Sequence, residues 1–489
     1  MKKLFLFCCI VFLSLGAFSQ KDAYKIRIKI NGKKDVPVYL INYFGEQRYY
    51  KDTAAFNSEG VAVFTGPKHL PGGIYGLFSE EKLLFELLLN EEPLVDLETD
   101  TEDYINHMKV KKSEENKLFF EHLALVTKKQ EESKPLQERY NAKDVSEAEK
   151  KEISVKLEQI GEDINTYRLG IVEKYPDMLI SVIYRTMKEP KAPEYPELSD
   201  SLRRVKQYYY VKSHYFDDVD FGDERINYTP LYHNKLEKYF KQLVVPVPDS
   251  IIKEADIIIA RSKANQETFK YTVHYLLSHY ERSKIMGMDA VFSHIGLNYY
   301  THELAFWADS AQIEKVQERA SKISPLLIGK PAINLSLLDT AGTNWPRLYH
   351  VSSKYTVLVF WDPDCGHCKK EMPKLAHYVD SVKNTYDLKV YAVSSQHDEA
   401  WKKFIRDHKL DFINVAVPME VYKDQNKATE LIINGHTDLR SLNYHTTYDV
   451  YSTPQIYLLD RNKKILGKKL DTDLIDEVIK KTEEKEKNK

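Results

Sequence analysis

Polar and apolar residues alternate from Tyr24, in Tyr-Lys-Ile-Arg-Ile-Lys-Ile, until Asn31-Gly32 interrupts them with a turn signal. A period of two marks a half-buried strand. Val36–Asn42, Val61–Gly66, Gly73–Phe78 and Leu83–Leu89 continue the pattern between Gly, Pro and Asn breaks, so residues 20–105 are expected to form a small antiparallel β-sandwich. Beyond Asp100 the period lengthens. Asn116–Lys129 reads as a helix, and Ser146–Tyr175 sets Ile153, Leu157, Ile160, Ile164, Tyr167 and Ile171 three and four apart with charges on the other faces. That stripe is short for a coiled-coil dimer arm, and an intramolecular helical hairpin is expected; a homo-oligomer is the alternative.

Pro176, Pro190, Pro193 and Pro196 then break the pattern, and six further helices are expected between Ser199 and Ser324. Residues 106–324 therefore read as an all-helical region. The aromatic groups Tyr208-Tyr209-Tyr210, Tyr299-Tyr300 and Phe306-Trp307 are expected in its core rather than stacked on a ligand. From residue 325 strands and helices alternate: Asn334–Asp339, Lys354–Trp361, Leu388–Ser394 and Ile413–Val417 as strands, with helices at Cys365–Lys383 and Ala400–His408. A hairpin, Gln455–Asp460 with Lys464–Lys469, and a helix at Asp473–Lys481 close the chain, and Lys480–Lys489 is expected to fray. Residues 325–489 are expected to be an α/β domain with a mixed sheet and helices on both faces. Glu420–Tyr448 lengthens the path to the hairpin and is expected to form a helix and a flap.

Composition changes this picture in two places. A net charge of -2 over 489 residues leaves no basic field, so nucleic acid is excluded as a partner. Met1-Lys2-Lys3, the apolar run Leu4–Ala17 and Ala17-Phe18-Ser19 form a signal-peptide pattern at residues 1–19, with cleavage expected before Gln20. A lipoprotein anchor at Cys8 or Cys9 is disfavoured by the bulky Phe7. With the leader gone, only Cys365 and Cys368 remain of the four cysteines, in an oxidising compartment where structural bridges would have been available.

Those two cysteines lie in Val357–Pro373, Val-Leu-Val-Phe-Trp-Asp-Pro-Asp-Cys-Gly-His-Cys-Lys-Lys-Glu-Met-Pro. The stretch reads as a strand, a proline turn and a helix start. Unpaired N–H groups and the positive end of the dipole favour a thiolate at Cys365, and Cys368 is placed to resolve a mixed disulfide. His367, when protonated, adds to that stabilisation, and Gly366 leaves room for a partner's backbone. Asp362 and Asp364 oppose it modestly. Zinc would need a second ligand pair, and covalent haem would need a histidine where Lys369 stands, so neither metal nor cofactor is expected.

The segment resembles the active site of the thioredoxin superfamily, and within it the extracytoplasmic TlpA/ResA-like thiol-disulfide oxidoreductases. Trp361 sits where that family carries the Trp of its Phe-Trp pair, and Pro373 where its active-site helix kinks. Thr453-Pro454 resembles the cis-proline loop, and Glu371 matches the acidic residue placed beneath the cysteines to move the resolving thiol's proton. The resemblance implies a substrate surface at Trp361, Thr453 and Pro454, and protein thiol or disulfide partners together with an upstream redox partner in the envelope. Asp364 departs from the family by replacing an aromatic residue, and Val359 by replacing the buried Asp of cytosolic thioredoxins. The Gly-His pair is closer to protein disulfide isomerases. The β and helical regions resemble modules of unknown function that precede such domains. The reading that follows is a periplasmic oxidoreductase, reducing in direction; the alternatives are an oxidase or isomerase, and a non-enzymatic envelope binding protein on the same scaffold.

Overall fold

The computed structural model describes residues 22–487, so the expected leader, with Cys8 and Cys9, lies outside the described residues. The chain divides into two compact units. One runs to Leu243 and takes in Lys263–Thr268; the other comprises Val244–Ser262 and Phe269–Lys489.

In the first unit eight strands form two four-stranded sheets. They are β1 (Tyr24–Asn31), β2 (Pro37–Phe44), β3 (Gln47–Ala55), β4 (Val61–Gly66), β5 (Gly73–Ser79), β6 (Lys82–Leu89), β7 (Leu94–Asp100) and β8 (Lys109–Lys112). The sheet orders are β4-β1-β7-β8 and β3-β2-β5-β6. All pairings are antiparallel except β1 with β7, which run parallel. Alternation of Ile26, Ile28 and Ile30 puts all three in the core, as the period of two requires. Five helices follow: α1 (Glu114–Tyr140), α2 (Glu147–Lys174), α3 (Leu179–Met187), α4 (Asp200–His214) and α5 (Pro230–Lys238). The first is longer than the sequence suggests, running on through Pro135, and α3 stands within the expected proline-broken link. Its residues are almost all buried, and at nine residues it is too short to show a helical period over several turns. The tyrosine run on α4 is a second correction. That helix buries no residue, and Tyr209 is 62% exposed.

The start of α1 is grafted onto this core through a buried carboxylate. Glu115, 2% exposed, accepts from Leu179 N at 2.7 Å, Ile180 N at 3.0 Å and Asn90 Nδ2 at 3.1 Å, capping α3. Burial pushes its carboxyl up, against the pull of these donors. Replacing it with alanine is expected to destabilise this unit by about 2 to 3 kcal/mol, because the orphaned N–H groups stay buried. With the folded pKa above the unfolded value, the folded state holds the proton more tightly. Its contribution is therefore complete below the unfolded pKa and is lost as pH rises through the folded one. Urea midpoints measured against pH should show that slope in the wild type and lack it in Glu115→Gln.

The second unit opens with α6 (Pro248–Ser262), most of α7 (Gln266–Glu281), α8 (Asp289–Tyr299) and α9 (Ser310–Ile323). The α/β part follows: β9 (Leu338–Asp339), β10 (Tyr355–Trp361), α10 (Gly366–Val382), β11 (Leu388–Ser394), α11 (Glu399–Asp407) and β12 (Ile413–Ala416). Short helices α12 (Met419–Lys423), α13 (Gln425–Ile433), α14 (Leu439–Leu442) and α15 (Tyr444–Thr447) precede β13 (Gln455–Leu459), β14 (Ile465–Lys468) and α16 (Thr472–Lys487). The sheet order is β14-β13-β10-β11-β12-β9, with β10-β11-β12 parallel and the rest antiparallel. Every residue of β10 is buried, with one side chain set in each of two apolar cores.

Three expectations change here. Only Leu338–Asp339 of the first strand joins the sheet; Ser336 upstream makes an isolated bridge with Arg347 and turns to the insertion, its N donating to Ser441 Oγ at 2.9 Å and its carbonyl accepting from Thr437 Oγ1 at 2.7 Å. The insertion is not a flap, since Leu442, Tyr444 and Tyr448 are core residues and Phe360 stacks on Tyr444. The tail continues as helix to Lys487, held by Glu483 to Lys354 at 2.7 Å and by the pair Asp476 with Lys480 at 2.7 Å.

Candidate active site

Strand β10 ends at Trp361 in the middle of the sheet, and the chain must turn sharply into α10. Asp362 makes the turn. Its Oδ1 accepts from Asp364 N at 2.7 Å and its carbonyl from Cys365 N at 3.2 Å. Cys365 thus becomes the N-cap of α10, in the extended conformation such a residue adopts and with no side-chain oxygen to satisfy the first turn. A sulfur at that position faces the free N–H groups of His367 and Cys368.

The two thiols are placed unequally. Cys365 is half-buried, whereas Cys368 is 0% exposed, and both are free. Burial works to raise the Cys365 thiol, but the backbone N–H groups of Cys368 and His367 and the Thr453 side chain outweigh it, so the group lies below its ordinary value. Burial pushes Cys368 up to about 11, against a lone backbone donor, Asp362 N, at 3.4 Å from its sulfur. The outer sulfur ionises first. As a thiol Cys365 donates to the Thr453 carbonyl at 3.3 Å, and Thr453-Pro454 is a cis peptide. The structure therefore brings the cysteines and the Thr453-Pro454 loop together, although 88 positions separate Cys365 from Thr453.

The other expected site residues fall differently. Gly366 and His367 are exposed, and a Cβ at Gly366 would meet nothing within 4 Å. Trp361, expected as a contact for substrate, is 1% exposed and packs on Phe404 at 5.3 Å between centroids. It forms the floor under the turn and cannot touch a partner. Glu371 is half-buried and accepts from Thr472 N at 2.8 Å, so its carboxylate holds the start of α16 rather than sitting as a free group beneath the cysteines. Val359 is wholly buried in the apolar core.

Two residues escaped the sequence reading. Ser395 and Gln396 leave the end of β11, and each holds one aspartate of the turn: Ser395 Oγ donates to Asp362 Oδ2 at 2.6 Å and Gln396 Nε2 to Asp364 Oδ2 at 3.0 Å. Their only signal was position. They follow the carboxyl end of a parallel strand beside the central one, where α/β sheets build their sites. Among the described residues, Asp100, Glu102 and His107 bring possible metal-ligand atoms within 4.8 Å of one another on the sandwich surface. Asp100 is already ion-paired with His107 at 2.9 Å.

Residues 328–467 match the AhpC/TSA family. The C-terminal domain belongs to that thioredoxin-like family. The two-cysteine helix start lies within the residues so matched. Residues 146–324 match a domain of unknown function, DUF5106. Among solved structures, a domain of a possible thiol-disulfide isomerase from Cytophaga hutchinsonii is 38% identical, covering 34% of this chain and 99% of its own, with a TM-score of 0.28. A thioredoxin-like protein from Bacteroides caccae is 19% identical, covering 60% of this chain and 97% of its own, with a TM-score of 0.43. The thioredoxin domain of a Bacteroides vulgatus thiol-disulfide oxidoreductase is 25% identical, covering 32% and 96%, with a TM-score of 0.26. No curated protein matches the chain.

Proposed function

We propose that the protein is an exported oxidoreductase that reduces protein disulfides with Cys365 and Cys368. The inequality of the two thiols carries this reading. The Cys365 thiolate attacks one sulfur of a partner's disulfide, and the partner's other sulfur leaves as a thiolate that takes up a proton. Cys368 then gives up its proton and attacks Cys365 Sγ, which releases the partner's first sulfur as the second thiol. Two electrons have passed to the partner, the cysteines are left as a disulfide, and a dithiol redox partner upstream restores them. Water takes the resolving proton, since the Glu371 carboxylate is engaged by Thr472 N, and Thr453 and Pro454 seat the partner's extended segment beside Cys365. Gly366 and His367 tune the balance between the two redox states. The N-terminal leader pattern supports an envelope location, and no helix among the described residues is long and apolar enough to cross a membrane.

The experiment is alkylation of the reduced protein by iodoacetamide as a function of pH. Cys365 should react with a midpoint below the roughly 8.5 of a free cysteine, and Cys368 should stay silent until the pH nears about 11. Equal reactivity of both cysteines at the free-thiol midpoint would remove the basis of the proposal.

An isomerase or oxidase is the second reading, favoured by Gly366-His367. Equilibrating the full chain with glutathione separates the two. A potential near about -270 mV is that of a reductant, and one near about -180 mV that of an isomerase.

A further inference from the structure

We propose that Asp364, held in place by Gln396, selects disulfides flanked by basic residues; this names the substrate class of the site above and rests on the oxidoreductase reading of it. The two aspartates of the turn are not equivalent. Asp362 is half-buried and both its oxygens are engaged, Oδ1 by Asp364 N and Oδ2 by Ser395 Oγ. Both oxygens are tied into the turn, and its charge is the same in every variant below. Asp364 is exposed, directly precedes the nucleophile, and has its Oδ2 fixed by Gln396 Nε2 at 3.0 Å.

A surface carboxylate on a free turn would sample many positions, and its field at any one point would average down. Anchored to Gln396, it keeps one place beside Cys365. Because Asp364 directly precedes Cys365, a partner's disulfide that reaches that sulfur brings its flanking residues into the neighbourhood of the Asp364 carboxylate. At separations near 8 Å in a water-like medium, changing two flanking residues from acidic to basic changes the rate by about fivefold after screening. Such charges act mainly on encounter, so the effect belongs to the bimolecular step. Lys369, exposed one helical turn beyond Cys365, works in the opposite sense. It is present in every variant below, so comparison with the wild type isolates Asp364.

The test uses the full-length, pre-reduced protein in single-turnover reactions, which need no upstream donor. Two cystine peptides are compared, identical except for lysines or glutamates beside the disulfide, with hydroxyethyl disulfide as an uncharged control. The wild type at low salt should react about fivefold faster with the lysine peptide, and the ratio should collapse in 0.5 M salt. Asp364→Asn should bring the ratio close to one. Gln396→Ala should lower it part of the way by releasing a carboxylate that is still charged. A wild-type ratio at or below one, or a ratio that survives Asp364→Asn, overturns the proposal. Failure of the wild type to react with any of the three, hydroxyethyl disulfide included, would instead remove the oxidoreductase reading beneath it. The ratio is blind to general damage, since a misfolded variant slows with both peptides alike.

Discussion

In Cys368→Ala, Cys365 is expected to stay joined to its partners, so that mixed disulfides with envelope proteins accumulate and survive non-reducing electrophoresis. The reason is geometric. Attack by Cys365 needs only the outer sulfur, whereas release needs a second sulfur close enough to displace the partner, and Cys368 is the other free thiol among the described residues. Cys365→Ser removes the nucleophile altogether, because a serine hydroxyl at a helix N-terminus stays protonated at neutral pH. Disulfide reduction should fall by roughly three orders of magnitude or more, with no adducts. Both variants should fold normally. Cys365 is only half-buried, and the alanine change at Cys368 removes a sulfur whose one backbone donor, Asp362 N, is long at 3.4 Å. Adducts that form equally well in Cys365→Ser/Cys368→Ala would show that neither thiol is the point of attachment.

The second large effect concerns stability. Lys468 at the end of β14 is 6% exposed, its ammonium paired with Asp289 at the first turn of α8 and donating to the Leu326 carbonyl at 3.0 Å. Burial pushes the lysine down, and Asp289 works against that. Asp289→Ala strands a buried ammonium and should cost about 3 kcal/mol; the partly exposed carboxylate keeps the figure below that of a wholly buried pair. Adding Lys468→Met should recover most of the loss, since a well-packed apolar chain avoids the desolvation cost that the ion pair only offsets. Denaturant curves of the two variants check this. Equal destabilisation in the single and double variants would mean that Asp289 acts through packing of α8 instead.

Much of the site is legible in the sequence. The apolar run into Trp361, the proline turn and the C-x-x-C spacing fixed a strand, a turn and a helix N-terminus, since each is a local rule. The helical stripe of α2 was as plain, and its observed bounds differ from the reading by one residue at each end. Misreadings came where non-local partners override local preference. Trp361 looked like a contact surface until the packing of α11 covered it with Phe404. Glu371 looked free until the folded chain brought Thr472 N to its carboxylate. The clamp by Ser395 and Gln396 had no motif, because neither residue is chemically distinctive and both act only across a parallel strand pairing.

The sequence by itself determined the chemistry on offer: two cysteines at the start of a helix, in an α/β domain behind a β-sandwich and a helical region. Spacing and period are properties of neighbours along the chain, so they are legible in the sequence. The tertiary structure decided how the two sulfurs differ, which aspartate is left exposed beside them, and which acids are already committed elsewhere. Burial comes from segments far apart in sequence and pushes the inner thiol up, whereas the N–H groups of His367 and Cys368 that favour the outer thiolate are local.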